Sequence, residues 1–463
     1  MAALLAPDID PVQKGAANPF GMHGSQGAMT GPLRIGVAGL GTVGAAVIEL
    51  LERRRVDLGR RAGRAIRPVA VSARSRAKNR SIDISGLAWH DDPVALAADE
   101  NVDVVVELIG GANGPALATV EAALARGKPV VTANKAMLAE HGARLATLAE
   151  ANGVGIGFEA AVAGGIPIVK TLRESLSGNA VLRVSGILNG TCNYILTRME
   201  REGLGFAECL AEAQRLGYAE ADPSFDIEGH DTAHKLALLT SLAFGTAPDP
   251  ATIYVEGITS ITPLDLAMAE ELGYRVKLLG VAVRIDGGIE QRVHPTMVPK
   301  EAAIAWVDGV TNAVAVEGDA VGELTLVGAG AGGFATASSV VADIADIAGR
   351  RGVPTFGLPA ATLAPARRMP MRTHHGGYYV RLSVADRPGA AAAIATRMAE
   401  QNISLESIVQ KRRVDAPLDA SGGVPVVLIT YSTTEDAIRL AVDAILNDGH
   451  IRGAPQVIRI EPR

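Results

Sequence analysis

Residues 33–44 read LRIGVAGLGTVG. The first six are an apolar run of strand length, a glycine turn follows at once, and helix-compatible residues begin near Thr42. Strand, glycine turn and helix in that order are the setting a dinucleotide-binding turn requires. Gly39, Gly41 and Gly44 would let the backbone approach a pyrophosphate resting on the positive end of the helix, with Thr42 and Val43 beside it. A tight turn without a ligand is the alternative. The stretch predicts an α/β fold that opens with a Rossmann-type dinucleotide-binding domain.

Further strand and helix units follow outward from it. The next strand spans residues 68–73, late in the chain because the first helix is read as long. Where an acid would commonly hold the ribose hydroxyls, the sequence has Arg74, Arg76 and Lys78. That favours a 2′-phosphate and so NADP, with NAD possible and a solvent-facing basic loop as the alternative. VDVVVEL at 102–108 is a buried strand running into IGG, and a helix over 115–126 comes next. A strand at 129–131 then leads into TANK, 132–135, followed by a helix to about Ala151 and a strand ending near Glu159. Near-continuous apolar strands alternating with helices imply a parallel sheet covered on both faces. Lys135 falls at the carboxyl end of one strand, where such sheets bind ligands.

Beyond Glu159 the pattern changes. Residues 160–168, AAVAGGIPI, form a glycine-containing turn opening a helix, and a strand at 181–188 runs into NGTCNYIL. There Asn189, Thr191 and Asn193 either hydrogen-bond a small polar substrate or cap the next helix. Residues 216–236, LGYAEADPSFDIEGHDTAHKL, gather Glu220, Asp222, Asp226, Glu228 and Asp231 ahead of one lysine, Lys235. Apolar residues at helical spacing after Asp231 predict a helix, which puts Asp231 and Lys235 on one face as an i,i+4 pair. A lysine held beside carboxylates can protonate a developing alkoxide. The competing reading is a solvated surface pair, and the apolar character of the helix favours burial. His230 and His234 lack the glutamate and third ligand of a zinc site, so they read as satisfied or surface histidines.

Strands over 275–285 and 291–298 predict an antiparallel, α+β substrate and dimerisation domain over 160–327. GAGAGG at 328–333 either marks a second nucleotide turn or starts a helix, about 328–349, that returns to close the first domain, 33–159. Residues 350–377, rich in Pro, Arg and His, read as a linker. Residues 378–463 follow the order βαββαβ, a ferredoxin-like module.

Composition bounds the function. With 44 Lys and Arg against 50 Asp and Glu, the net charge of −6 implies no basic face and argues against nucleic acid. Two cysteines, Cys192 and Cys209, fit a reducing, cytoplasmic compartment. No apolar run is of membrane-spanning length, and residues 1–32 read as a disordered tail.

Together GLGTVG, ELIGG at 107–111, TANK, EAAVAGGIPI at 159–168, NGTCNYIL and GYAEADPSFDIEGHDTAHKL at 217–236 resemble homoserine dehydrogenase over nearly the whole chain after the tail. The C-terminal module resembles an ACT domain, with DRPG at 386–389 and NIS at 402–404. The resemblance implies reduction of L-aspartate 4-semialdehyde to L-homoserine with a nicotinamide cofactor. It implies Lys235 as proton donor, Asp231 as the group orienting it or the substrate, Glu220 and Asp226 as substrate-binding, and Lys135 at the junction of cofactor and substrate. A sodium or other monovalent cation is implied near Glu159, Val162, Gly164 and Ile166, with L-threonine as a candidate effector and a homodimer or homotetramer as the assembly. Two departures stand out: Ala335 replaces a proline common in the family, and an insertion at 415–423 separates two strands of the ACT-like module.

Overall fold

The computed structural model describes residues 31–80, 82–385, 387–410 and 423–462. The expected tail up to residue 30, Asp386 of the DRPG motif and residues 415–422 of the insertion lie outside them. The first layer is a six-stranded sheet in the order Ala88–His90, Ile66–Ser72, Leu33–Ala38, Val104–Glu107, Val130–Thr132 and Ile156–Gly157. Every neighbouring pair is parallel. The strand order reverses between Leu33–Ala38 and Val104–Glu107, and that switch point opens the crevice in which such folds hold nucleotides. Fully buried Val37, Val71, Val106 and Val131 show why the strands are apolar on both faces.

Two details differ from the expectation. The long first helix is two helices, Thr42–Arg53 and Arg55–Ala62, broken at Arg54. Past Leu51 an exposed, charged run interrupts the buried stripe, and the second, arginine-rich helix returns to the core only through Leu58 and Ala62. The second strand begins at Ile66, two residues early, and its register with Leu33–Ala38 shifts opposite Pro68, which has no N–H for the ladder.

The second layer is a mixed sheet. Its main path runs Gly322–Ala329, Thr311–Gly318, Val181–Ile187, Tyr274–Ile285, Gly288–Pro299, Gln456–Ile460, His375–Val384, Val424–Thr430 and Leu405–Gln410. The long pair Tyr274–Ile285 and Gly288–Pro299 is antiparallel, which makes this the α+β part of the chain. Helix His230–Phe244 lies between the layers, packed on Val181–Ile187 and Tyr274–Ile285 on one side and on helix Lys135–Ala151 on the other. It approaches the sheet closely at Gly280, where a Cβ would stand 3.0 Å from Thr232 Cγ2. The helix after GAGAGG, Gly333–Ala348, packs along Thr42–Arg53 and buries Ala337, Val340 and Ile344 beside Val37 and Val47. The second glycine run thus serves the first sheet.

The C-terminal unit has the order His375–Val384, Ala390–Glu400, Leu405–Gln410, Val424–Thr430, Glu435–Asn447 and Gln456–Ile460, with strands arranged 4-1-3-2 as in ferredoxin-like folds. Its first strand starts at His375, ahead of the expected boundary, because His375 and Gly376 pair with Thr434 and Thr433. Gln456–Ile460 joins the unit to the central sheet through two parallel pairs, Thr296 with Arg459 and Met297 with Ile460.

Buried polar contacts fix that joint. Asp265, fully buried, accepts from Tyr379 Oη at 2.9 Å and Arg381 Nε at 2.6 Å while closing the capping box of helix Pro263–Glu271 with Thr262. Removing one partner of a buried ion pair strands the other, at a cost of about 3 kcal/mol. Asp265→Ala is therefore expected to lower the free energy of unfolding measured in urea by that amount, and the midpoint with it; an unchanged midpoint would show that the joint does not depend on this carboxylate.

Candidate active site

The glycine turn has the shape a dinucleotide needs. Gly39 sits at φ +104°, and a Cβ there would strike Leu108 O at 2.4 Å. A Cβ on Gly44 would fall 2.0 Å from Gly39 O, so only glycine lets the helix pack this closely on the turn. Gly41, the N-cap of Thr42–Arg53, has nothing within 4 Å of where its Cβ would be. The space above the helix N-terminus is thus open to a phosphate, and Thr42 is exposed with it. Arg74 is exposed just past Ile66–Ser72. Arg80, not singled out in the sequence, ties the basic loop to the glycine turn by donating to Leu40 O at 3.2 Å, and with Arg76 it stacks on Trp89.

At the carboxyl end of the next two strands, the fully buried Glu107 braces the loops. It accepts from Ile109 N at 2.7 Å, Gly110 N at 3.0 Å and Thr132 Oγ1 at 2.6 Å. Asn134 caps helix Lys135–Ala151 by accepting from Met137 N, and its amide donates to Gly111 O at 2.8 Å. Lys135 is thereby presented at the first position of a fixed helix.

It meets the second layer at Asp231. Lys135 Nζ lies 3.1 Å from Asp231 Oδ1, and Lys235 Nζ donates to Asp231 Oδ2 at 2.7 Å. Lys235 also donates to Leu188 O at 2.7 Å, and its side chain is only 13 % exposed. Asn189 Nδ2 donates to Asp231 Oδ2 and Asp226 Oδ1, both at 2.8 Å. Burial alone would raise the Asp231 carboxyl, but Lys235, Lys135 and the Asn189 amide hold it well below the usual carboxylate range. Burial, with the Asp231 charge, pushes Asp226 the other way.

Other expected residues lie apart from this cluster. Glu220 stands exposed on the loop before Ser224–Ile227. Thr191 Oγ1 donates to Tyr218 O, and Asn193 is buried against Val307 O and Thr311 O, so of that polar trio Asn189 alone reaches the two aspartates. His230 is exposed, whereas His234 is half-buried edge-on to Phe225, and its Nδ1 has no hydrogen-bond partner among the described residues. Glu159, Val162, Gly164 and Ile166 lie in one buried turn. Burial, with Asp343 nearby, pushes the Glu159 carboxyl up to about 7 even though it accepts from Val169 N and Lys170 N.

The sign of the Asp231 shift makes a stability prediction. A depressed carboxyl contributes stability that is present above its unfolded value, about 3.9, and is lost as the pH falls through the folded one. Asp231→Asn is expected to cost about 3 kcal/mol at pH 7 in urea unfolding. The gap from the parent chain should narrow only in the acid range; a gap constant from pH 7 down to full acid unfolding would dissociate the effect from ionisation.

Family models match along the chain. Residues 39–159 match the homoserine dehydrogenase NAD-binding domain, 167–345 the homoserine dehydrogenase domain and 378–447 the ACT domain. A homoserine dehydrogenase of Neisseria gonorrhoeae is 46% identical over 420 residues, covering 89% of this chain and 95% of that one. The Pseudomonas aeruginosa homoserine dehydrogenase is 44% identical over 436 residues, covering 93% and 99%. A crystal structure of the Thiobacillus denitrificans homoserine dehydrogenase superposes with a TM-score of 0.87 at 44% identity, covering 93% of this chain and 98% of that one. With the glycine turn, the two-lysine carboxylate and this agreement over almost the full length, the chain belongs to the homoserine dehydrogenase family and carries its NAD-binding and ACT domains.

Proposed function

We propose that the chain interconverts L-aspartate 4-semialdehyde and L-homoserine with Lys235 as the group that gives and takes the proton. The observation carrying this reading is the double hold on Lys235, by Leu188 O and Asp231 Oδ2. An ammonium has three N–H donors. Two are engaged, and one remains for the substrate's carbonyl oxygen. A bound nicotinamide supplies or accepts the hydride. As charge builds on the carbonyl oxygen, the positioned ammonium of Lys235 neutralises it, an effect typically worth ~10²–10⁴-fold. Asp231 orients Lys235, Lys135 stands where cofactor and substrate meet, and Glu220 and Asp226 take the substrate's amino end. Lys235→Ala is expected to lower kcat for homoserine oxidation by at least about a hundredfold while cofactor affinity is kept. Near-parental turnover would remove Lys235 from the mechanism.

Gly39, Gly41, Thr42, Val43 and Gly44 would hold the cofactor's phosphates, and the open space over Gly41 fits them. NADP is the cofactor we infer, because Arg74 is exposed where the adenosine ribose of such folds lies. A hyperthermophilic archaeal homoserine dehydrogenase, 28% identical with a TM-score of 0.58 and covering 68% of this chain, was solved with NADPH. We also assign a monovalent cation, sodium, to Glu159, Val162, Gly164 and Ile166. The donor set fits a hard ion: the Glu159 oxygens, Gly164 O and Ile166 O each accept one protein hydrogen bond, and an oxygen of this kind has two lone pairs. In the C-terminal unit, a cavity of about 200 Å³ lined by Val384, Arg387, Gly389, Ile394 and Val426 is our candidate for threonine.

One spectrophotometric series tests these readings. Homoserine-dependent reduction should be faster with NADP than with NAD, and Arg74→Ala should raise KM for NADP alone. Replacing sodium by choline should lower turnover and melting temperature together, and threonine should slow the rate. Equal rates with both cofactors, indifference to sodium, or an unchanged rate in saturating threonine would each refute the corresponding assignment. We expect a cytoplasmic homodimer or homotetramer, with the edge strand Gly322–Ala329 available for pairing; light scattering that reads a monomer would overturn the assembly. The division into residues 33–159 closed by the returning helix at about 328–349, residues 160–327, and a C-terminal unit that the first strand extends back to His375 is proposed with it, and limited proteolysis that cuts within those spans before cutting between them would refute it.

A further inference from the structure

We infer that Asn189 is a positioning residue for the reaction, holding the Asp231 carboxylate in the one orientation that serves both lysines. The inference rests on the reading of Lys235 given above. Asn189 stands two residues past the strand Val181–Ile187 and caps helix Gly190–Glu202, its Oδ1 accepting from Cys192 N at 2.8 Å. Capping uses the side-chain oxygen alone, and Asp caps a helix as well as Asn does. What Asn adds is an NH2 group with two donors. Both are aimed at carboxylates carried by different elements. One is Asp226 Oδ1 on the single turn Ser224–Ile227, and the other is Asp231 Oδ2 in the first turn of His230–Phe244, each at 2.8 Å.

The amide therefore lies between two like charges in a largely buried site, with Asn189 itself 5% exposed. It separates the charges and leaves Asp231 with Oδ2 toward Lys235 and Oδ1 toward Lys135. The residue before it holds the other member of the pair, since Leu188 O accepts from Lys235 Nζ at 2.7 Å. The joint at 188–189 thus fixes both the ammonium and its carboxylate, so a change of side chain at 189 acts on the proton-transfer geometry and not on the fold alone.

The test is Asn189→Asp, which keeps the cap and the size but exchanges the donors for a carboxyl. Facing that position are Asp226, Asp231, Lys235, Lys135 and the Cys192 thiol. Between two aspartates the introduced carboxyl takes up a proton readily, and in that state it can donate one hydrogen bond in place of the amide. Once ionised, it repels both neighbours. The ratio of variant to parental kcat is expected to fall as the pH rises, from within about threefold at pH 6 to at least about tenfold below parental at pH 9, with cofactor affinity nearly unchanged and the melting temperature below the parent's at both, because a buried carboxyl that ionises late costs stability above its ordinary range.

A ratio near one at every pH, the result a purely capping residue gives, would overturn the inference. Should Asn189→Asp fail to bind cofactor, Asn189→Ala is assayed at saturating cofactor and homoserine, and parental kcat there overturns it equally. Lys235→Ala is run in the same assay. If that variant turns over, the mechanism and this inference fall together. If it is inactive while Asn189→Asp is parental at all pH values, only this inference falls.

Discussion

A buried carboxylate stands where the two layers of this enzyme meet at the site. Asp231 is 4% exposed, and an ionised group so placed is tolerable only where cations and donors surround it. Its partners come from both layers. Lys235 lies one turn along the same helix, on the mixed sheet, and Lys135 begins a helix of the parallel-sheet layer. Placing Lys135 in turn depends on Glu107, whose carboxylate ties two strand-end loops together, and on Asn134, which locks the helix start to Gly111. The site thus exists only when both layers are folded and docked. The crevice at the strand switch point and Lys235 are brought into register by the same carboxylate.

The C-terminal unit is attached by a different use of buried charge. Arg459, on the last strand, reaches Glu435 of its own unit and Glu256 of the substrate layer, both at 2.6 Å, and lies over the Tyr254 ring. Glu461 is shared between Arg183 and Arg292, and His374 bonds to Glu290. Buried pairs of this kind add little net stability over well-packed apolar groups, yet a shifted arrangement would strand several charges at once. They specify one docking. The contact is also continuous with the catalytic layer. Glu256 N donates to Val293 O, and two residues on Ile258 N donates to Ile227 O, immediately after Asp226.

What was legible in the sequence is what is local. The glycine turn declares itself because strand, turn and helix are adjacent, and Asp231 with Lys235 because four residues make one helical turn. The apolar strands of the parallel sheet read as strands because both their faces are covered. The rest depends on long-range closure. Leu188 O and Lys235 are 47 positions apart, and Asn189 and Asp231 are 42 apart. No periodicity relates them, since the contact is made by a sheet that must form first. The same holds for Arg80, whose attachment to the glycine turn follows from a loop path that composition does not encode. The break at Arg54 was within reach, because the charged run from Glu52 to Arg55 interrupts the apolar stripe after Leu51. Glu220 marks the opposite case, a residue whose neighbours in sequence suggest a cluster that the fold leaves open on one side.

The choice of lysine at both positions around Asp231 has a chemical reason. Guanidinium would pair more rigidly with a carboxylate through its fork of donors, but it does not give up a proton under any condition the enzyme meets. In the role proposed for Lys235, protonating an alkoxide in one direction and deprotonating an alcohol in the other, the group has to exist in both states. Lysine can, provided something else fixes its direction, because a flexible four-carbon stem does not. Here direction is supplied from outside the side chain. Leu188 O and Asp231 Oδ2 take two of its donors and leave the third defined by exclusion. The carboxylate that does this is itself held by Asn189 and by the second lysine, so the freedom that makes Lys235 chemically useful is removed by its surroundings one hydrogen bond at a time.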